Sequence, residues 1–136
     1  MAPLFPSHGQ YSIYRDGAIL VTEVVGPWNL ELVDEWSKAA IPFCIEMQAS
    51  GPWVAVAIAS QSMLATPEAM VALRKIVGIS VEQFGCRAHV VVADSAVDGR
   101  GVVEPVFEKA YAGLCASAFF DDYGSAKRWA TNLLSN

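Results

Sequence analysis

The sequence predicts an α/β domain in which an N-terminal β-hairpin leads into a mixed, mainly parallel five-stranded sheet with four helices. Two observations predict this class. After two β-rich segments at the start, short apolar segments alternate with longer amphipathic ones, which is typical of βαβ units. In addition, 54% of the 136 residues are hydrophobic, enough for one continuous core. We therefore expect a flexible lead-in over residues 1–10 and a single domain over residues 11–136.

The hairpin is predicted from two β-rich segments, residues 11–15 and 18–25, which flank Asp16-Gly17. This dipeptide readily adopts the positive φ angles of a two-residue hairpin turn. Glu23 is a charged residue in the otherwise apolar second segment. Because a buried, unpaired carboxylate is costly, we expect Glu23 to lie at an edge position where it reaches solvent.

The first helix is predicted to follow Gly26-Pro27, with Asn29 as its N-cap. Apolar side chains then recur at helical spacing on one face. Pro42 lacks an amide hydrogen, so we expect this helix to kink or end near Ile41. The segment "FCIEMQAS" beyond it can resume helical structure before Gly51-Pro52 breaks it.

The rest of the chain is predicted to alternate strands with helices. Residues 53–60 alternate branched side chains with alanine, so both faces of this central strand are apolar and one is small. Thr66-Pro67 begins a helix that ends at Gly85. The later elements are strands at 88–94 and 116–122 and helices at 102–114 and 124–134.

The helices are long enough to cross back over a sheet, so the last four strands should pair in parallel. Right-handed crossovers between successive neighbours would place the helices on one face, whereas a reversal along the sheet would cover both. The sequence leaves both arrangements open. A thinly covered face on the side of Ala55, Ala57 and Ala59 would admit a partner, a ligand or a second copy of the chain.

Charge and composition exclude several classes of function. The net charge is −5 and the nine Lys and Arg residues are scattered, which argues against a nucleic-acid partner. No signal-peptide pattern and no apolar stretch of about twenty residues is present, so we expect a cytoplasmic protein without a transmembrane segment. Cys44, Cys86 and Cys115 have no CxxC spacing, which predicts buried free thiols and no metal or cofactor.

Two local signals accompany this order of elements: "GPWNLELVDEW" after the second strand and "FFDDYGSAKRWATNLL" at the end. With them the chain, from about Gln10 onward, resembles the SpoIIAA-like proteins, relatives of the STAS domain of anti-sigma-factor antagonists and sulfate-transporter tails. The resemblance implies a non-enzymatic domain that works through protein contacts or, in some members, through a lipid or small ligand.

The resemblance also suggests where a phosphorylation switch would lie. In antagonist STAS domains a kinase modifies a serine in an Asp-Ser-Ser-Gly-like stretch at the start of the helix after the first central strand. The corresponding stretch here, "ASQSMLATPEAM", lacks that motif. Ser60, Ser62 and Thr66 are the hydroxyls near enough to replace it, so they are the candidates for a binding or phospho-switch role. Thr66 is equally well explained as a helix cap.

A second candidate site is the loop "DSAVDGRG", residues 94–101, between a strand and a helix. Open α/β sheets bind ligands at the carboxyl ends of their strands. Asp94, Asp98 and Arg100 are therefore loop ligand-binding candidates, and Arg100 could pair with an anion. The loop matches neither a GxGxxG pattern nor a P-loop, and a solvated loop is the alternative.

We predict no catalytic residue. His89 is a lone histidine in an apolar strand and His8 lies in the lead-in, and neither has a recognisable acid or nucleophile partner. Asp121 and Asp122 are adjacent in a strand and so point to opposite faces, which excludes a paired acid and base. We expect Asp122 or Ser125 to cap the last helix and Trp129 to anchor that helix on the sheet.

The leading hypothesis is a non-enzymatic interaction or regulatory binding module, homodimeric and able to take a lipid-like or other small apolar ligand. The alternative is a small α/β enzyme or nucleotide-binding protein that uses the strand C-terminal loops near Ser60, Asp94 and Arg100. A convergent pocket of charged groups with a perturbed acid or base would favour the alternative. A shallow apolar face with two-fold packing would favour the binding module.

Overall fold

The computed structural model describes residues 9–135, which form a five-stranded sheet and four helices. Residues 1–8 of the expected lead-in, with His8, lie outside the described residues, as does Asn136. No helix within residues 9–135 is long and apolar enough to span a bilayer. The elements in chain order are β1 (Gln10–Asp16), β2 (Ile19–Val25), α1 (Leu30–Ser50), β3 (Trp53–Ser60), α2 (Pro67–Phe84), β4 (Cys86–Val92), α3 (Arg100–Tyr111), β5 (Ala116–Phe120) and α4 (Tyr123–Ser135).

The sheet has the strand order β1-β2-β3-β4-β5. β1 and β2 are antiparallel, as predicted, and Gly17 in the turn has φ 61°. Asp16 pairs with Ile19, so the two-residue turn consists of Gly17 and Ala18 and lies one residue later than the predicted Asp16-Gly17. β2 to β5 are all parallel. This mixed, mainly parallel sheet with four helices confirms the predicted fold class.

Helix α1 does not end at Pro42 but runs from Leu30 to Ser50, so the segment beyond the proline is helical up to the break that Gly51-Pro52 predicts. Proline deprives the carbonyl one turn earlier of its helical hydrogen bond. Ile41 and Pro42 are exposed, so water can satisfy that carbonyl. The buried stripe continues on the opposite side through Ala40 and Cys44, and its packing stabilises the helix on both sides of the proline.

Helix α2 begins and ends as predicted. The Thr66 hydroxyl accepts a hydrogen bond from the Ala69 amide at 3.2 Å, and Pro67 occupies the first turn. Gly85 ends the helix in the left-handed conformation, with φ 75°. α3 begins at Arg100 and ends at Tyr111, two and three residues before the predicted bounds.

The helices cover both faces of the sheet unequally. α1, α2 and α3 pack on the face that carries Ala59 and Val91, whereas α4 packs on the face that carries Val54 and Val90. The alanine side of β3 is therefore the thickly covered one. The condition of a thinly covered face is thus not met on this side, although space remains under the helices, as described below.

Glu23 is exposed, as predicted, but not because its strand is an edge. β2 lies between β1 and β3, and the edge strands are β1 and β5. Glu23 lies on the face that α4 covers, and α4 packs against β3, β4 and β5. Ile19 and Val21 on the same face of β2 are buried with Ala126 and Ala130 of α4, whereas Glu23 is exposed. The helix therefore covers the start of β2 but not Glu23.

Asp122 caps α4, as predicted. Its carboxylate accepts hydrogen bonds from the Ser125 amide at 2.8 Å and the Ser125 hydroxyl at 3.1 Å. These bonds hold the pKa of Asp122 below its usual value, because they favour the ionised form. Asp121 instead contacts Arg100 at 2.7 Å. The two adjacent acids thus have separate structural roles.

Candidate functional site

An apolar cavity of about 80 Å³ lies between the sheet and helices α1, α2 and α3. This is several times the room that a single water needs. Its floor is formed by Ala55 and Ala57, because the alternation of β3 directs alanines to this face and Val54 and Val56 to the other. The cavity exists because methyl groups stand where larger side chains would meet the helices. Its lining includes Tyr11, Thr22, Val24, Trp28, Leu32, Val33, Trp36, Ala55, Ala57, Leu73, His89, Val91, Phe107 and Tyr111.

Aromatic side chains form the walls of the cavity. Trp28 meets Phe107 edge to face, with ring centroids 5.9 Å apart, and Phe107 contacts Tyr111 in the same manner at 5.8 Å. The Trp36 Nε1–H donates to the Thr22 hydroxyl at 3.0 Å, so both polar groups are satisfied. These contacts fix the wall around an almost wholly apolar space.

Trp28 has a second constraint at the end of β2. Its Nε1 is buried and has no hydrogen-bond partner among residues 9–135. A Cβ at Gly26 would lie 2.8 Å from this nitrogen and would collide with the Ser62 carbonyl. Gly26 was interpreted from the sequence as a strand end, whereas its missing side chain also makes room for the cavity wall.

His89 is the titratable imidazole of the cavity lining, which also carries the polar groups of Thr22 and Trp28. Burial lowers its pKa to about 4, so the imidazole is neutral at physiological pH. Its Nε2 lies 2.9 Å from the Ser80 hydroxyl on α2. The Ser80 hydroxyl also donates to the Val77 carbonyl at 2.7 Å. The Tyr111 ring lies beside the imidazole, with centroids 5.7 Å apart.

The cysteines are free, and two of the three are buried. Cys44 and Cys86 are buried and Cys115 is half-buried. Burial raises the pKa of the Cys86 thiol to about 12, which keeps it protonated and unreactive. Within the described part of the chain, no three His, Cys, Asp or Glu side chains are grouped as metal ligands would be.

The loop candidates lie at the carboxyl edge of the sheet, outside the cavity. Asp94 accepts from the Ala96 amide at 2.8 Å, and the Asp98 main chain bonds to Gln61 and Met63. The Arg100 guanidinium contacts Asp121 at 2.7 Å and Glu104 at 3.6 Å. An open depression of about 540 Å³ borders residues 95–102. Each candidate already has a partner within the protein, and their ligand-binding role stays a prediction.

The three hydroxyl candidates lie on the neighbouring loop. Ser60 is exposed and bonds weakly to the Val24 carbonyl at 3.5 Å. Ser62 is only 6% exposed and accepts from the Leu64 amide at 3.1 Å. Ser62 also pairs with Asp98 in an isolated bridge, which joins the two predicted loops. The Thr66 hydroxyl caps α2, so a modification of Thr66 would replace the cap, and such a switch stays a prediction.

The structure thus brings the predicted loop residues together at one edge, but none of them lines the cavity. Sequence reasoning weighed His89 and set it aside, and it did not identify Trp28 or Trp36 as wall residues. One signal was available. The alanine side of the central strand predicts a place where the core is thin, although only the helix positions show that a cavity results.

A comparison with solved structures finds a similar fold in an uncharacterized protein of the DUF3478 family from Shewanella loihica PV-4, described as having a SpoIIAA-like fold. The two chains are 14% identical, the match covers 96% of this chain and 99% of the other, and the TM-score is 0.57. No protein-family model and no curated protein matches the chain. The likeness confirms the SpoIIAA-like fold that the sequence predicted.

Proposed function

We propose that this protein is a non-enzymatic SpoIIAA-like binding module that holds a small, largely apolar ligand in the cavity beneath helices α1, α2 and α3. The observation that carries the proposal is an alanine floor under walls of ordered aromatic rings. Ligand sites are typically concave, mostly apolar and equipped with a few polar groups. Here His89 is the main such group.

The chemistry of the described residues supports binding rather than catalysis. The imidazole of His89 has no carboxylate partner among residues 9–135 and is neutral, so it lacks the partner that orients a general base. The Cys86 thiol stays protonated. Arg100 is held by two carboxylates, so its charge is already compensated at the site where an anionic substrate would bind.

The size of the cavity favours a ligand no larger than a substituted ring. A long acyl chain would require α1 and α2 to separate, and that separation would cost buried apolar contacts such as those of Met47 and Val77. A lipid-like ligand is therefore proposed only in the form of a short apolar molecule.

The test is to fill the floor of the cavity and measure binding of 4-fluorotoluene by ¹⁹F NMR. In Ala57→Leu the larger side chain should occupy the ligand's space and weaken binding at least about tenfold. Ala49→Leu makes the same change at an exposed position of α1 and should bind as the wild type does. Circular dichroism checks that both variants fold. Absence of binding to the wild type, or equal binding to Ala57→Leu, would contradict the proposal.

A further inference from the structure

We infer that His89 presents an unprotonated Nδ1 to the cavity, so that the preferred ligand is a small apolar molecule with one hydrogen-bond donor, such as an alcohol or a phenol. This inference rests on the proposed function and adds the chemical class of the ligand. Three arguments support it: the position of the hydrogen in the Ser80–His89 contact, the accessibility of Nδ1, and the lack of charged residues in the cavity wall.

The position of the hydrogen is assigned from the contacts of the Ser80 hydroxyl, which lies beside the Val77 carbonyl, the His89 ring and the Cys86 thiol. A serine hydroxyl has one hydrogen to donate, and a carbonyl oxygen can only accept. The Ser80 hydrogen is used in the 2.7 Å bond to the Val77 carbonyl. With the Ser80 hydrogen in that shorter bond, we assign the donor of the 2.9 Å contact with His89 to Nε2–H of the ring. In a neutral imidazole with hydrogen on Nε2, Nδ1 carries a lone pair and acts as an acceptor.

Nδ1 has accessible surface inside the protein. Among residues 9–135, the sealed side-chain nitrogen or oxygen atoms without a partner are Trp28 Nε1 and Arg100 Nε. His89 Nδ1 also has no hydrogen-bond partner among residues 9–135, but it is not one of these inaccessible atoms. It therefore has solvent-accessible surface. His89 is partly buried and its ring lines the cavity. We therefore assign the accessible surface of Nδ1 to the cavity.

The cavity wall selects against charged ligands. Its lining contains no Lys, Arg, Asp or Glu, and burial keeps the neighbouring Tyr111 phenol protonated by raising its pKa. A carboxylate placed there would be desolvated without a counter-ion. A hydroxyl group, in contrast, satisfies Nδ1, which an entirely apolar ligand would leave without a partner.

The first test reads the tautomer directly in long-range ¹H–¹⁵N NMR spectra of the wild-type protein. We expect His89 to show a protonated Nε2 and an unprotonated Nδ1, and the Nδ1 resonance to move upfield when p-cresol is added. A protonated Nδ1, or an Nδ1 resonance that p-cresol leaves unchanged, would overturn the inference. This measurement needs no variant.

The second test separates the inference from the proposed function. p-Cresol and 4-fluorotoluene have nearly the same shape, but only p-cresol donates a hydrogen bond. Their affinity ratio in the wild type, divided by that in His89→Phe, should be about ten, since the comparison cancels the hydration of the free probes. If both probes bind and this quotient is near one, the inference about His89 is wrong, whereas the proposed function stands. If neither probe binds the wild type, the proposed function fails as well.

Ser80→Ala tests the same inference where His89→Phe fails to fold. This small change removes the acceptor of Nε2–H and the preference for that tautomer. The Nδ1 and Nε2 resonances should move towards each other as the tautomers mix, and the p-cresol affinity should fall while that for 4-fluorotoluene holds. Unchanged resonances and an unchanged affinity ratio would contradict the assignment.

Discussion

At the scale of single residues, His89 shows how an apolar site can remain selective. The imidazole lies in the cavity wall with one hydrogen-bond partner, and its pKa falls because the charged form would lose hydration without gaining a counter-ion. A neutral ring can accept a hydrogen bond at one nitrogen while it donates at the other. A charged ring could donate only. The environment therefore fixes what the residue can recognise.

The lowered pKa of His89 predicts acid sensitivity of the fold. In the unfolded chain the ring takes up a proton near its ordinary pKa, but in the folded protein it does so only near about 4. The unfolded state therefore binds more protons in this window, so stability is full above the ordinary pKa and falls as pH falls. Between about pH 7 and about pH 5 the free energy of unfolding should fall by about 2 kcal/mol from this residue.

Urea unfolding at both pH values measures this effect, with His89→Phe as the comparison. The variant should lose less stability on acidification than the wild type. Asp16 and Asp122 also have lowered pKa values, but the stability they contribute is lost at more acidic pH. Equal losses in wild type and variant would show that His89 titrates normally.

At the scale of elements, helix starts and the hairpin could be predicted because local chemistry determines them. Thr66 and Asp122 cap their helices and Gly17 makes the turn, as the sequence indicated. At Pro42 the sequence left the course of the helix open, because the local effect of proline is opposed by a tertiary one. The stripe of buried residues on the far side of α1 holds the helix together, and sequence alone does not show how firmly.

The continuity of α1 predicts that Pro42→Ala stabilises the protein. Alanine restores a backbone donor at an exposed helical position and has a better helix propensity. The free energy of unfolding should rise by about 1 to 3 kcal/mol, as measured by urea denaturation. Ala49→Pro, in the last turn of the same helix, should have the opposite sign. A destabilised Pro42→Ala would mean that the proline has a favourable structural role here.

At the scale of the whole molecule, the sequence predicted the strand directions but not the distribution of helices over the two faces. Three crossovers place their helices on one side, and α4, which no further strand follows within residues 9–135, folds onto the other. The position of the cavity depends on this distribution of the helices over the two faces. The loops could be located by counting strand ends, whereas the cavity arises between elements that are distant in sequence, such as Trp36 and Tyr111.

Native mass spectrometry tests the predicted homodimer and the bound ligand together. The exposed apolar side chains of α1, Ile41 and Ile45, and of α3, Val102 and Val106, motivate the expectation of a dimer. We expect a dimer mass, together with a small retained molecule that is lost in Ala57→Leu. A strictly monomeric mass at micromolar concentration would contradict the dimer, and a bound nucleotide would favour the alternative function.

The alternation along β3 has a consequence for how such a protein can diverge. Substitutions on the valine side change the packing against α4 and so alter stability. Substitutions on the alanine side change the cavity volume that is available to a ligand. The two sets of positions alternate along one strand and face opposite sides of the sheet. Substitutions can therefore change which ligand binds while the packing of α4 on the sheet is retained.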